Sequence, residues 1–335
     1  MAGHSKLAIT VAIVANSVVA VAKLGGAWFT GSGALLAEGI HSIADVGNQG
    51  LLAIGLAKSQ KKPTRDHPFG FGREAFVWGL ISAVGVFFLG CGVTVMHGVH
   101  SLQSSEHHVS NLSVAIAIMV FSLVVEGISW AIAMRGTLLE AKANEQGFFA
   151  YLRSTDNPFT IAILLEDSAA VVGVLIALGA VWLTQATHMP VWDAWGSIVI
   201  GVLLGAVALF LIWKNRSFLI GRSISSVDWQ RINTILAQDP VIESVSEQKA
   251  EVTGAQSFTL SAELDFDGRV LAERYLQSQD AATLLSTLQS EDDLRLFLRE
   301  YSEGLVTQLG VEINRIEAQI RKEVPKADTI ALEPD

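Results

Sequence analysis

Four polar side chains recur at helical spacing inside one apolar stretch of the sequence, residues 33–57. They are Glu38, His41, Asp45 and Asn48. An α-helix turns once in about 3.6 residues, so steps of three and four residues place all of them on one face. The stretch is also long enough to cross a bilayer, which takes about 20 residues. Ionisable groups at that depth are costly and normally mark a transport pathway or a bound ion.

The residue types in this stripe fit a divalent metal ion. Imidazole and carboxylate groups bind Zn²⁺ at about 2.0–2.2 Å, and they also accept Mn²⁺, Fe²⁺ or Co²⁺. Both groups must lose protons before they bind a metal, so metal and protons compete for the same atoms. Combined with alternating access, that competition is sufficient for antiport. The single cysteine, Cys91, lies in an apolar run that indicates a packing role, and the lack of a thiolate cluster argues against Cu(I).

Three more carboxylates lie within apolar segments: Glu126, Glu166 and Asp167. Glu166 and Asp167 are about 100° apart around a helix, so Glu166 can face a different helix from Asp167. Glu126 is a candidate metal ligand, a proton relay or the partner of Lys23, and the sequence leaves these alternatives open. Lys23 is interpreted as a snorkelling or paired cation, because a positive charge in a metal site would repel the ion. Glu38 is interpreted as a ligand or as part of a gate or vestibule.

Hydropathy predicts six membrane-spanning helices. They lie near residues 7–29, 33–57, 75–101, 111–134, 159–184 and 191–213. The links after the second, fourth and sixth spans contain Lys and Arg, whereas the other links contain neither. The positive-inside rule then places both termini in the cytoplasm. The first apolar run lacks a small-residue cleavage site and is interpreted as a span rather than a removed signal.

The charged residues divide the six spans into two groups. Spans one, two, four and five carry charges in mid-membrane, and buried charges must meet one another or water. We therefore expect these four spans to form a core, with spans three and six packed outside it. Small residues on span three permit close helix contact, within one chain or across a dimer. They are Gly79, Ser82, Gly85, Gly90 and Gly92.

The composition changes after the sixth span. The chain of 335 residues is 50% hydrophobic and has a net charge of −10. Residues 1–216 carry equal numbers of acidic and basic side chains, so residues 217–335 carry that whole charge. This division predicts a transmembrane cation-transport domain, 1–216, followed by an acidic cytoplasmic domain, 217–335. An acidic domain argues against nucleic acid as a partner.

The second domain has the pattern of a small α+β sandwich. Residues 257–266 alternate strictly between apolar and polar side chains, which predicts a half-buried strand. The other elements are predicted near 226–239 (helix), 241–252 (strand), 269–323 (helices) and 329–333 (strand). The resulting order α-β-β-α-β is typical of such a sandwich. No histidine follows His188, and no phosphate-binding loop or nucleophile motif occurs in this part of the sequence. The protein is therefore not expected to be an enzyme.

Several long blocks of the sequence resemble the cation diffusion facilitator family, and most closely its zinc transporter nine branch. They are "GSGALLAEGIHSIADVGNQ", "HPFGFGREAFVWGLISAVGVFFLGCGV", "LLEDSAAVVGV", "LIGRSI" and "AELDFDGRV". The resemblance covers essentially the whole chain. It implies homodimers with six spans per protomer, a cytoplasmic ferredoxin-like domain, and divalent-metal/proton antiport by alternating access.

The resemblance also implies a transport site between the second and fifth spans, each of which commonly supplies an H/D-x-x-x-D pair in this family. The second span matches with His41 and Asp45. On the fifth span Asp167 matches the aspartate, but Ile163 stands where the first residue of the pair is expected. This chain therefore retains three of the four family ligands.

The fourth ligand must come from elsewhere, and the candidates are Glu166, Glu126 or a water molecule. Two further metal sites of some family members are not expected. The loop "DHPFGFG" retains only Asp66 and His67, and the soluble domain has no histidine. We therefore expect one functional metal site per chain.

The expected function is efflux of a divalent cation, in the first place Zn²⁺, by antiport with protons. A transporter of Mn²⁺, Fe²⁺ or Co²⁺, a cation channel and an intramembrane metalloenzyme are the alternatives. The metal ion is then the transported substrate, no organic cofactor is expected, and the expected partners are the bilayer and a second copy of the chain. The lack of a transit-like presequence favours a bacterial inner (plasma) membrane. The outer histidines are either a weak metal-acceptor site or part of a solvated loop. They are His97, His100, His107 and His108.

Overall fold

The computed structural model describes residues 2–103, 111–143, 146–155, 158–277 and 279–335. The chain divides into two compact units, Met1–Ile220 and Gly221–Asp335. The first unit is helical, whereas the second contains a small sheet together with helices. A helical domain followed by an α+β domain is what the sequence predicts at this level of detail.

The described part of the first unit forms long helices joined by short links. In chain order they are α1 (Ala2–Thr30), α2 (Gly33–Ser59), α3 (Glu74–Gly85), a π-helical segment (Val86–Val93), α4 (Thr94–Gln103), α5 (Leu112–Ala143), α6 (Phe148–Ser154), α7 (Pro158–Thr187) and α8 (Val191–Ile220). Within the part of the chain that the structure describes, four stretches are long and apolar enough to cross a membrane. They are Glu74–Gln103, Ser113–Ala143, Ile161–Thr187 and Val191–Ile220. α1 and α2 coincide with the first two predicted spans but are not among these four, and the polar stripe of α2 lowers its mean hydropathy.

The four helices that carry buried charges pack around one another. α1 contacts α2 and α5, and α7 in turn contacts α2 and α5. The apolar centre of this group includes Leu35, Met119, Val174 and Val181, each almost fully buried. α4 packs mainly on α8, whereas α3 packs on both α2 and α8, and α8 itself packs on α7 and α2. The grouping of the four charged helices agrees with the prediction, but α8 is not simply outside it, because Ile200 and Leu204 of α8 belong to the same apolar core.

α3, the π-helical segment and α4 form one continuous helix against α8. Glycines on this helix permit the close approach. A Cβ atom added at Gly79 would meet the side chain of Asn215, and one at Gly98 would meet Ile198. In the π-helical segment, Gly90 faces Leu204 in the same way.

The start of α2 is fixed by an aspartate from α8. Ser32 is the N-cap residue, and its hydroxyl accepts a hydrogen bond from the amide of Leu35. The same hydroxyl donates to Oδ1 of Asp193 at 2.6 Å, and Oδ2 of Asp193 accepts from the amide groups of Gly33 and Ala34. A carboxylate at this place satisfies amide groups that have no partner within the helix and complements the helix dipole.

The second unit is built around a three-stranded sheet. Its elements are α9 (Ser226–Gln238), β1 (Ile242–Gly254), β2 (Ser257–Phe266), α10 (Gly268–Gln277), α11 (Ala281–Thr287), α12 (Glu291–Glu323) and β3 (Ala327–Pro334). β2 lies in the centre, antiparallel to β1 and parallel to β3. The apolar side chains of β2 that alternate in sequence, such as Phe258, Leu260 and Leu264, are buried. The predicted strand at 257–266 is confirmed, and so is the order of elements.

A polar network joins three helical segments of the second unit. Arg315 of α12 donates to Glu312 at 2.7 Å and to Asp239, at the end of α9, at 2.5 Å. Arg274 of α10 forms an ion pair with the same Glu312. Burial raises the pKa of Glu312, but the hydrogen bonds and charges of Arg274 and Arg315 outweigh burial and hold the pKa below its ordinary value of 4.5.

Candidate functional site

The polar stripe of α2 faces the interior of the helical unit. Glu38, His41 and Asn48 are buried, and the side chain of Asp45 is largely buried. Nε2 of His41 lies 3.4 Å from Oδ2 of Asp45, one helical turn further on. The predicted pair therefore faces one region of the protein, and its two side chains are close enough to bind one ion together.

His41 is buried without a hydrogen bond to either ring nitrogen within the part of the chain that the structure describes. A buried polar atom that lacks a partner costs about 1–3 kcal/mol, so such an atom in a native protein requires an explanation. Coordination of a metal by the imidazole provides one, because a ring nitrogen is a common metal ligand. The donor set around His41 therefore fits a divalent cation.

Carboxylates from three helices act on the same region. Asp45 of α2 interacts electrostatically with Glu166 and Asp167 of α7 and with Glu126 of α5. Asp167 accepts a hydrogen bond from the hydroxyl of Ser129 at 2.9 Å. The five predicted site residues thus lie in one electrostatic neighbourhood, although they come from separate parts of the sequence.

Glu166 is held by a chain of hydrogen bonds that the sequence only partly indicated. The side-chain amide of Asn48 donates to Oε2 of Glu166, and the hydroxyl of Ser82 donates to the side-chain oxygen of Asn48. Asn48 therefore connects α2 to α7 and, through Ser82, to α3. Ser82 was expected to permit close packing of α3, and its hydrogen bond is an additional role. A small cavity beside this chain is lined by Asn48, Glu166 and Asn215, among others.

Ile163 and Glu166 are about one turn apart on α7 but differ in burial. Ile163 is 44% exposed, whereas Glu166 is only 8% exposed. The position at which the family commonly has a first ligand on this span therefore carries a partly exposed apolar side chain in this protein. Glu166, one turn closer to the centre of α7, is the carboxylate that points inward beside Asp167.

Glu126 has a different partner. Nζ of Lys23 donates to Oε1 of Glu126 at 2.6 Å and to Oε2 of Glu38 at 2.7 Å. Lys23 is 0% exposed, so this is a buried ion-pair group that joins α1, α2 and α5. Of the alternatives that the sequence left open for Glu126, pairing with Lys23 is the one seen in this conformation.

The predicted ligands do not form a closed cage. Among the described residues, no three side chains of His, Cys, Asp or Glu converge closely enough to hold a metal ion. His41 and Asp45 approach each other, while Asp167, Glu166 and Glu126 are bound to Ser129, Asn48 and Lys23, respectively. A metal bound by all of them requires local rearrangement of these side chains.

The outer histidines are only partly described. A Cβ atom added at Gly33 would lie 3.2 Å from Nε2 of His97, close to the Asp193 cap of α2. His97 also interacts electrostatically with Asp193. His107 and His108 lie outside the described residues, so the predicted alternatives for this cluster stay predictions.

Comparisons with known proteins agree with the site and the fold. A family model described as a cation efflux transmembrane domain matches residues 9–220. Metal tolerance protein C4 of Arabidopsis thaliana is 37% identical over 98% of this chain and 73% of its own length. The mitochondrial proton-coupled zinc antiporter SLC30A9 of Homo sapiens is 37% identical over 97% of this chain. The chain spans 58% of the length of that human relative.

A more distant relative carries the name of another metal. The manganese efflux system protein MneP of Bacillus subtilis is 24% identical over 75% of this chain and 80% of its own length. The family model covers more than half of the chain, and two relatives exceed 30% identity over nearly all of it. The chain therefore belongs to the cation diffusion facilitator family, and its residues 9–220 form a cation efflux transmembrane domain.

Proposed function

We propose that the protein exports divalent cations, in the first place Zn²⁺, in exchange for protons. The observation that carries the proposal is His41, whose buried ring has no hydrogen-bond partner among the described residues and lies 3.4 Å from the carboxylate of Asp45. Membership of a cation efflux family supports the transport of cations, and the name of the human relative supports zinc and proton coupling. The human relative is named as an antiporter and the Bacillus subtilis relative as an efflux system protein, which supports a protein without enzymatic activity.

The proposed metal ligands are His41, Asp45 and Asp167, with Glu166 or a water molecule as the fourth, whereas Glu126 is the partner of Lys23. Because Glu126 is paired with Lys23, Glu166 is favoured as the fourth ligand. Glu166 is buried next to Asp167 in the chain and accepts a hydrogen bond from the neutral side-chain amide of Asn48. A metal that binds these groups competes with protons for them. Each exchange of a metal for protons keeps the buried charge low, which is the physical basis of the antiport.

Alternating access requires that the ion enter from one side and leave from the other. In the proposal, α1 and α2 complete six spans together with the four apolar stretches, and Lys and Arg in the links place both termini in the cytoplasm. The acidic second unit is then a cytoplasmic, ferredoxin-like domain, and the chain acts as a homodimer. The membrane is proposed to be a bacterial inner membrane, although the name of the human relative places that protein in mitochondria.

Transport of Mn²⁺ is the second candidate function. The replacement of one family ligand by Ile163 leaves a donor set with one nitrogen and several oxygens, and oxygen ligands suit Mn²⁺. The name of the Bacillus subtilis relative points in the same direction. Fe²⁺ and Co²⁺ fit the same ligands and belong to the same experiment.

The test uses the full chain in proteoliposomes that enclose a fluorescent zinc indicator. With a pH gradient across the membrane we expect accumulation of Zn²⁺ against its own gradient, and collapse of the pH gradient should abolish the accumulation. Asp45→Asn and Asp167→Asn should each reduce uptake at least tenfold. Ile163→Ala, on the same helix, removes no ionisable group and is the control, so it should transport normally.

Two results would contradict the proposal. Normal transport by both aspartate variants would show that these carboxylates are not ligands. Passive flux that never exceeds equilibrium, with conductance that does not depend on protons, would show a channel instead. The same vesicles loaded with Mn²⁺ or Co²⁺ indicators rank the metals.

A further inference from the structure

Lys23 places an ammonium group between two carboxylates in the interior of the helical unit. Its Nζ lies 2.7 Å from Oε2 of Glu38 and 2.6 Å from Oε1 of Glu126. The three side chains come from α1, α2 and α5, and all three are buried. The group therefore ties together three of the four helices that carry buried charges.

Both carboxylates keep further binding capacity. Oε1 of Glu38 and Oε2 of Glu126 are buried and have no hydrogen-bond partner among the described side chains. A Cβ atom added at Gly173 would collide with Oε1 of Glu38, so that oxygen lies directly against α7. Two carboxylates and one ammonium leave one formal negative charge without a counter-charge. Because unpaired buried charge is costly, the two glutamates retain an attraction for a cation.

We propose that Glu38 and Glu126 form a latent site for a divalent cation, and that Lys23 occupies this site as a tethered substitute for the ion. Carboxylate oxygens bind Zn²⁺ at about 2.0–2.2 Å, so each carboxylate has to move by only roughly half an ångström to replace Nζ with a metal. The two oxygens without partners allow each carboxylate to bind through both of its oxygens. The donor set consists of oxygens alone, which also suits Mn²⁺.

The latent site is separate from His41 and Asp45, but it influences them. Lys23 interacts electrostatically with both residues. By holding Glu126, Lys23 keeps that carboxylate away from the transport site and limits the chain to one metal ion. This inference rests on the proposed function only for the statement that His41 and Asp45 belong to the transport site.

Equilibrium dialysis of the full chain in detergent against Zn²⁺, and separately against Co²⁺, counts bound ions per chain. We expect one ion for the wild-type protein and two for Lys23→Met, because the methionine removes the ammonium and keeps most of the side-chain volume. The double variant Lys23→Met/Glu126→Gln should return to one ion. A Lys23→Met protein that is monodisperse and folded but binds a single ion would overturn the inference.

Glu126→Gln provides a second test that does not depend on the folding of Lys23→Met. It leaves Lys23 paired with Glu38, a neutral combination, so we expect the variant to fold. It should still bind one metal ion, with an affinity within about threefold of the wild-type value. Loss of the metal from Glu126→Gln would show that Glu126 is itself a transport ligand, and the inference would be wrong.

Asp45→Asn separates this inference from the proposed function. We expect Asp45→Asn to bind no metal and Asp45→Asn/Lys23→Met to bind one. If Asp45→Asn still binds a metal, the proposed transport site is wrong. The latent site is tested separately, by comparing each chain that carries Lys23→Met with the same chain that retains Lys23. The Lys23→Met chain should bind one more ion.

Discussion

Nε2 of His41 and Oδ2 of Asp45 lie 3.4 Å apart on successive turns of α2. This separation is too long for a good hydrogen bond, yet both side chains are largely buried. The imidazole is thus positioned beside a carboxylate without being engaged by it. Replacement of the imidazole of His41 by an oxygen donor therefore tests which metal the site prefers.

His41→Asp replaces the nitrogen donor with oxygen while it keeps a residue type that the family uses at this position. We expect the ratio of Zn²⁺ to Mn²⁺ transport to fall by about tenfold, because imidazole favours Zn²⁺ and carboxylate oxygen favours Mn²⁺. The two uptake rates are measured in the same proteoliposomes. Ser42→Ala, the adjacent buried position on α2, is the control and should leave the ratio unchanged. An unchanged ratio in His41→Asp would exclude His41 as a ligand.

Asn48→Leu removes the partner of both Glu166 and Ser82 at little change in volume. We expect a loss of stability of about 1–3 kcal/mol, because a buried carboxylate then lacks its donor, and slower transport because Glu166 is no longer held beside Asp167. Thermal unfolding in detergent and vesicle uptake measure the two effects. Asn215→Leu is the matched control, since Asn215 lines the same cavity but donates within its own helix, to the carbonyl of Leu211. Equal effects of the two substitutions would argue against a specific role of Asn48.

Asp193→Ala removes the carboxylate at the N-terminus of α2. We expect the thermal stability to fall by about 1–2 kcal/mol, the usual size of a lost helix cap. Asp193→Asn keeps one of the two acceptor oxygens, which can still accept from the amide groups of Gly33 and Ala34, so its loss should be smaller. If alanine and asparagine have the same effect, the hydrogen bonds to α2 do not contribute to stability.

Glu312 predicts a pH dependence in the second unit. Arg274 and Arg315 outweigh the effect of burial and hold the pKa of Glu312 below its ordinary value of 4.5. The folded state therefore binds this proton less readily than the unfolded state. The resulting stabilisation is present above pH 4.5 and is lost as the pH falls through the lower pKa of the folded state.

Glu312→Gln should lower stability at pH 7 and abolish this part of the pH dependence. We expect a difference from wild type of about 1–3 kcal/mol at neutral pH, which shrinks as the solution is acidified below pH 4.5. Urea unfolding of the full chain at several pH values measures the difference. Glu317→Gln, whose ion pair with Arg321 is on the same helix and has one exposed partner, should change stability much less. A difference that is independent of pH would contradict this assignment.

Much of the site could be predicted from the sequence because its signals are local. The stripe from Glu38 to Asn48 depends only on the period of one helix, and the structure places it on a buried face. The strict alternation in residues 257–266 likewise predicts β2 without knowledge of its neighbours. In both cases a short period in sequence determines which side chains share a face.

The partners of the buried acids could not be predicted, because they depend on how separate helices are rotated. Glu126 and Glu166 are both buried acids, yet one binds a lysine from α1 and the other an asparagine from α2. The sequence shows that buried charges need partners, but several polar groups on other helices qualify. The capping of α2 by Asp193 was missed for the same reason, because Asp193 lies 160 residues after Gly33, from whose amide group it accepts a hydrogen bond.

The wider winding of Val86–Val93 keeps the third predicted span in register with α8 along its length. Gly79 and Gly98 both face α8. A regular α-helix turns by about 100° per residue, so over the residues between them it would leave Gly98 rotated by about 100° from the direction of Gly79. A π-helical segment takes more residues for each turn and so corrects the phase. The two helices consequently share one uninterrupted seam, and deletion of a single residue from the segment would shift the far half of that seam out of step.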